Sequence, residues 1–176
     1  ESQLLRFNQL LKIVNLNHEK FSIIDYGCGY GELYYFLNKK FHGFQYLGYD
    51  ICKEMLKLAN KFLENDDIKL TSNKKELIRT DFLVASGVFN VKQNMSNEEW
   101  YEYLISQLNL FYELTNIGFS FNLLTKYSDN DKMDEKLYYA DPLKIFDYCK
   151  KNFSKNISLI HDYGLYEFTM LVRKKI

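Results

Sequence analysis

Apolar positions in Leu4–Val14 recur at helical spacing (Leu4, Leu5, Phe7, Leu10, Leu11, Val14), which predicts an amphipathic lead-in helix. Beyond residue 20 the pattern changes. Phe21–Asp25 is a short apolar run that ends in an acid and enters a glycine-rich turn, and Gly31–Lys40 then reads as a helix. The same alternation repeats with a strand over Tyr46–Asp50 and a helix over Ile51–Leu63, whose Met55, Leu56, Ala59 and Leu63 share one face. Ile68–Thr71 is a weak third strand and Phe82–Gly87 a stronger fourth. Ser96, with Glu99 three residues on, predicts the cap of a helix over Glu98–Leu114. A fifth strand follows over Gly118–Leu124. Asp141-Pro142 opens a last helix running to about Phe153, with proline at its first position. Two β-rich runs close the chain, Ile157–His161 and Tyr166–Arg173, separated by Asp162–Leu165.

Strands that alternate with helices predict an α/β fold, a parallel sheet with helices on both faces. The last two runs are an exception. A parallel crossover needs a dozen or more residues, so so short a link makes them an antiparallel pair. The 176 residues suit a single domain spanning 1–176. The chain opens without Met, which is compatible with further residues ahead of Glu1.

Composition narrows the function classes. The 23 Lys+Arg cancel the 23 Asp+Glu, so the chain lacks the basic excess with which a duplex-binding protein displaces counterions. Nucleic acid is therefore not the expected partner. Cys28, Cys52 and Cys149 are too few and too scattered for a disulfide framework, and the three His show no metal-ligand spacing, so no metal site is expected. No apolar run is long enough to span a membrane and no signal-peptide pattern opens the chain, so a cytoplasmic location is the expectation. Oligomeric state is not legible.

The chemistry gathers at Asp25-Tyr26-Gly27-Cys28-Gly29-Tyr30-Gly31-Glu32. A strand, a glycine turn and a helix bring free backbone N–H groups to the carboxyl edge of a sheet, and glycine lets the backbone approach a ligand closely. A dinucleotide fingerprint GxGxxG would need glycine at position 32. The third glycine is instead Gly31, and Glu32 follows. DxGxGxG resembles the S-adenosylmethionine-dependent methyltransferases of the Rossmann-like class. The resemblance implies a seven-strand sheet of order 3-2-1-4-5-7-6, parallel except for its last strand. It implies S-adenosylmethionine as cofactor, with Gly27, Gly29 and Gly31 approaching its methionine end and Asp25 beneath the turn. Asp50 would take the ribose hydroxyls and Ile51 would cover adenine, with Met55, Ser86 and Gly87 completing the set. Asn73 stands where the family commonly carries an acid for the adenine amino group, and its side-chain carbonyl can accept the same bond.

In the second half Ala85-Ser86-Gly87-Val88-Phe89-Asn90, Phe121-Asn122-Leu123-Leu124-Thr125, Tyr138-Tyr139-Ala140-Asp141-Pro142 and His161-Asp162-Tyr163 through Leu165-Tyr166-Glu167-Phe168-Thr169 resemble small bacterial methyltransferases of capsule and surface-polysaccharide modification. This resemblance implies O-methyl transfer, with N-methyl transfer second, to a small or glycan-linked or phosphate-linked acceptor, phosphoramidate decorations included. The expected catalytic residues are His161, Asn90 and Tyr139, at loops beyond the strand ends. His161 suits base work near neutrality, against the alternative of a buried imidazole tied to a carbonyl. Two other readings stay open: a nicotinamide oxidoreductase, in which Asp50 holds a dinucleotide ribose, and a noncatalytic cofactor-binding module. The Asn/Asp-Pro-Pro-aromatic turn of DNA amino-methyltransferases is absent, since Pro142 is the only proline.

Overall fold

A computed structural model describes residues 1–14, 20–63 and 68–174. It contains α1 (Ser2–Leu10), β1 (Phe21–Tyr26), α2 (Glu32–Lys40), β2 (Phe44–Tyr49), α3 (Lys53–Phe62), β3 (Ile68–Thr71) and β4 (Thr80–Ala85). There follow α4 (Asn97–Glu113), β5 (Thr115–Thr125), β6 (Tyr139–Ala140), α5 (Pro142–Asn152), β7 (Asn156–Ile160) and β8 (Glu167–Arg173). The sheet order is β3-β2-β1-β4-β5-β8-β7, with β6 pairing beside the far end of β5. Only β8 runs against its neighbours, antiparallel to both β5 and β7. The expected order and the expected reversal are both present.

Strand periodicity sorts the core into two layers. Ile23, Phe82, Val84 and Leu171 pack under α1, α2 and α3 with Phe7, Leu10, Leu33 and Leu37. Ile24, Leu83, Phe119, Phe121 and Phe168 pack on the other face against Leu104, Leu108 and Phe111 of α4 and Ile145 of α5. Each such side chain contributes roughly 1.5–3 kcal/mol by leaving water. The phenylalanine-rich composition is spent here: Phe89, Phe111, Phe119 and Phe121 form a chain of ring contacts with centroids 5.9–6.4 Å apart.

The helix signals act as the sequence predicts. Ser96 and Glu99 form a reciprocal capping box. Asp141 accepts the Leu143 N–H at 2.9 Å ahead of Pro142. Boundaries move by a few residues. The second strand runs Phe44–Tyr49 and leaves Asp50 beyond its end, free to turn its carboxylate back toward β1. The two-residue β6 has no counterpart in the sequence reading, because two residues show no period. Between β3 and β4 the chain makes a 3-10 turn at Lys74–Glu76 where a crossover helix would lie. The strand order reverses between β1 and β4, so their carboxyl ends border the crevice in which open α/β sheets place ligands.

The pairing of β5 with β8 leaves no room at Gly118, where an added Cβ would sit 2.4 Å from the Val172 carbonyl oxygen and 3.1 Å from Ile13 Cδ1. The obstacle is backbone, which cannot rotate away. Gly118→Ala is expected to destabilise the fold by about 1–3 kcal/mol, the usual range for overpacking, read as a lowered Tm in thermal unfolding.

Candidate functional site

The turn after β1 is held by the end of β2. Gly27 and Cys28 donate their N–H groups to the Tyr49 carbonyl at 2.7 and 3.0 Å, and Gly29 donates to Asp50 Oδ2 at 2.8 Å. Asp50 Oδ1 accepts the Cys52 N–H at 2.8 Å. Both carboxylate oxygens are thus oriented by backbone, and each keeps lone-pair capacity for a further donor. Gly27, Gly29 and Gly31 all lie in the left-handed region. At Gly31 the requirement is double: φ is +82°, and a Cβ would meet Leu63 Cδ1 at 2.4 Å. Gly31 is also the cap residue of α2, and Glu32 stands in its first turn, where the helix dipole favours an acid.

Asp25 lies beneath this turn, 2% exposed, with Tyr46 donating its hydroxyl to Oδ2 at 2.6 Å. Burial raises its pKa to about 7. The Tyr46 bond works against that rise and the nearby Asp50 charge adds to it. Burial likewise pushes the Cys28 thiol well above its ordinary value, so it has no thiolate chemistry near neutrality.

A cavity of about 160 Å³ opens between the turn and α1, lined by Gln3, Arg6, Asp25, Gly29 and Ser86 among others. Arg6 Nε contacts both oxygens of Glu167, at 2.8 and 3.1 Å. Glu167 is 2% exposed and also accepts from Asn122 Nδ2 at 2.7 Å, while Asn122 Oδ1 accepts the Gly87 N–H at 2.8 Å. A continuous chain therefore joins α1, β8, β5 and the turn after β4. Arg6 and Glu167 escape sequence reasoning because they are 161 positions apart. The one available signal was a charged residue at the mouth of an apolar strand.

Other expected site residues fall into two groups. The Met55 sulfur would lie 3.6 Å from a Cβ on Gly29, and Ile51 is 84% exposed directly after Asp50. Gly87, at φ +71°, has Arg6 Nη1 and Asn90 Nδ2 at 3.8 and 3.9 Å from its Cβ position. Asn90 Oδ1 is buried without a hydrogen-bond partner among the described residues. Asn73 caps the 3-10 turn, its carbonyl accepting from Lys75 N–H at 3.1 Å and its amide donating to Glu76 at 3.0 Å, so one carbonyl lone pair remains.

The second group stands elsewhere. His161 is exposed and its ring neighbours are Tyr127 and Phe168, in place of the expected position facing Asn90 across the pocket mouth. Phe168 belongs to the α4–α5 face of the sheet, whereas Asp25 and Glu167 belong to the α1 face, which accounts for the separation. Tyr139 accepts the Asp134 N–H at 3.0 Å, within a loop hollow shared with Lys92, Met133 and Leu137. Its partner Tyr138 is buried in the core, and burial pushes its pKa up to about 12. Among the described residues no cluster of His, Cys, Asp and Glu could hold a metal ion, and no helix is long and apolar enough to cross a membrane.

Comparison with known proteins bears on this geometry. A model of the methyltransferase domain matches residues 23–103, from β1 into α4. A Mycobacterium tuberculosis (strain H37Rv) protein, provisionally named methyltransferase Rv1506c, is 44% identical over 168 residues, which is 93% of this chain and 99% of the relative. Among solved structures, the magnesium protoporphyrin IX methyltransferase of Synechocystis PCC 6803, crystallised with S-adenosylmethionine, superposes with a TM-score of 0.70 at 14% identity. That match covers 98% of this chain and 80% of the other. A methyltransferase from Aquifex aeolicus gives 0.66 at 18% identity, covering 99% and 93%.

The raised pKa of Asp25 has a stability consequence. Below the unfolded value of 3.8 the carboxyl is protonated in both states. Between that value and about 7 the unfolded chain ionises while the folded chain retains its proton, so stability falls as pH rises across this window. Asp25→Asn, which keeps an oxygen for Tyr46, is expected to raise Tm relative to the unaltered chain at about pH 8 and to leave it nearly unchanged at about pH 4. Calorimetry at the two pH values checks it.

Proposed function

Given that the chain belongs to the Rossmann-like S-adenosylmethionine-dependent methyltransferases, we propose that it methylates an oxygen, with nitrogen second, of a sugar-linked or phosphate-linked acceptor used in capsule or other surface-glycan assembly. The cofactor assignment is carried by Asp50, a carboxylate fixed by two backbone N–H groups with acceptor capacity to spare. A pair of vicinal hydroxyls suits such a group. Gly27 and Gly29 line the cavity that Asp25 also lines, and Gly31 at φ +82° closes the turn at the start of α2. Ile51 offers an exposed apolar side chain beside Asp50 for the face of adenine, with Met55 below and the free lone pair of Asn73 at the edge. Ser86 and Gly87 border the methionine end. An ammonium group lying beside Asp25 would offset the burial that keeps this acid protonated.

When bound, S-adenosylmethionine supplies a methyl group on a positively charged sulfur, open to in-line attack by a nucleophile. The protein's task is then alignment, which can lower a barrier by several kcal/mol, up to about 7–11 in the best intramolecular models. Asn90 is the expected catalytic residue that stands at the β4 end with the cofactor-binding glycines. His161 and Tyr139 hold positions outside that cluster and are assigned no proton transfer. The class of acceptor rests on resemblance in the segments Ser86–Asn90, Tyr138–Pro142 and His161–Tyr163.

Asp50→Ala removes the ribose acceptor and the Gly29 anchor together. The substitution is expected to weaken S-adenosylhomocysteine binding by at least about tenfold, since charged hydrogen bonds are worth roughly 1.5–3 kcal/mol each. Calorimetric titration of a folded variant with affinity within about twofold of the unaltered chain would remove Asp50 from the site.

A further inference from the structure

The chain of bonds that holds Arg6 leaves most of its donors unused. Glu167 is buried, and a buried carboxylate requires paired and hydrogen-bonded neighbours. Arg6 satisfies that need through Nε alone, and Asn122 supplies a second donor to the same carboxylate. A guanidinium has five N–H donors, four of them on its two Nη nitrogens. Those four have no hydrogen-bond partner among the described residues, although the side chain is only 24% exposed and lines the cavity beside Ser86. Asn90 Oδ1 is in the complementary situation, a buried acceptor with no donor. Gly87 brings the two residues to one place, since Arg6 Nη1 and Asn90 Nδ2 approach the same Cβ position from 3.8 and 3.9 Å.

We propose that Arg6 and Asn90 form the acceptor subsite. In it the Nη nitrogens of Arg6 hold an oxyanion, phosphoryl or carboxylate, and Asn90 Oδ1 holds the proton of a hydroxyl or amine on the same molecule. The assignment rests on the methyltransferase reading above. A planar guanidinium whose Nε is already pinned presents its outer edge in a fixed orientation, which suits two parallel bonds to an oxyanion. Its Nη1 lies toward Gly87 and Asn90 at the β4 end, whereas Asp25, Gly27 and Gly29 line the cavity from the β1 side. Asn90 stands on the Nη1 side of that cation, so the anion is assigned to the acceptor, and the S-adenosylhomocysteine titrations below distinguish it from the carboxylate of the cofactor. Arg6 and Asn90 become specificity determinants, and Glu167 and Asn122 become positioning residues behind them.

The test uses the full chain in calorimetric titrations with S-adenosylhomocysteine, and with inorganic phosphate, acetate and glycerol phosphate, each run with and without saturating S-adenosylhomocysteine. Phosphate and acetate separate the two kinds of oxyanion. At least one is expected to bind the unaltered chain and to lose about tenfold or more in affinity in Arg6→Lys, which keeps a cation for Glu167 but lacks the fork. The double variant Arg6→Met/Glu167→Gln, which buries no lone charge, is expected to lose anion binding equally if Arg6→Lys unfolds. S-adenosylhomocysteine affinity should stay within about twofold in either variant. Glycerol phosphate should bind the unaltered chain more tightly than inorganic phosphate, and Asn90→Ala should abolish that difference. Anion binding that is absent from the unaltered chain, or retained in the Arg6 variants, overturns the subsite. A parallel loss of S-adenosylhomocysteine affinity assigns Arg6 to the cofactor and overturns it too. Equal affinities for the two phosphates overturn the part given to Asn90. Failure of S-adenosylhomocysteine to bind the unaltered chain sinks the methyltransferase reading alone, because the anion titrations without it still report on Arg6.

Discussion

The attachment of the first turn to the end of the second strand is the constraint on which the site depends. Three backbone N–H groups of the turn need acceptors, and the Tyr49 carbonyl and the Asp50 carboxylate provide them. Those bonds are short only if the chain passes through left-handed conformations at three glycines and lies close against Val88 and Leu63. A side chain at Gly27 or Gly31 would push the turn away from β2 and take the carboxylate's orientation with it. The same bonds set the approach angle of α2, because Gly31 ends the turn and caps that helix. One local geometry therefore governs a loop, a helix and the orientation of the Asp50 carboxylate.

A second constraint works at longer range. The polar chain Arg6–Glu167–Asn122–Gly87 crosses the α1 face of the sheet, where the surrounding layer is apolar. Each member satisfies the next, and losing any one would leave a buried group unpaired at a cost of about 1–3 kcal/mol, or more for a charged group. Such a chain adds little net stability over an apolar filling, but it accepts only one arrangement of its parts. It fixes where α1 sits over the glycine turn and in which direction the guanidinium points.

Sequence reasoning reached whatever was local. The acid–glycine–glycine–glycine spacing, the capping box at Ser96, the Asp141-Pro142 start and the antiparallel closing pair are each written within a few adjacent residues. Each has one inexpensive structural solution. The pairing of Arg6 with Glu167 was out of reach because only the tertiary fold brings the two together. His161 and Tyr139 went astray for another reason. The place of His161 at the end of a strand was read correctly, since β7 ends at Ile160, whereas Tyr139 was read on a loop and instead opens the short β6. The end of a strand does not say which face a side chain takes, and a shift of one residue sends it to the opposite side. The α4–α5 side receives His161, while the polar chain belongs to the α1 side.

The reversal of β8 sets which parts of the chain can vary together. A parallel strand delivers its last residue to the ligand-bearing edge, so its first residue lies at the far side of the molecule. β8 delivers its first residue, Glu167, to that edge, and the segment 161–166 that leads into it lies along the same rim. Much of that segment is solvent-exposed, and Gly164 within it has no neighbour where a side chain would go. Related chains can therefore lengthen, shorten or recolour this rim and leave β8 in register with β5. The fold separates a buried acid from an exposed approach to it by a single peptide bond, so the rim can change its chemistry while the acid keeps its place.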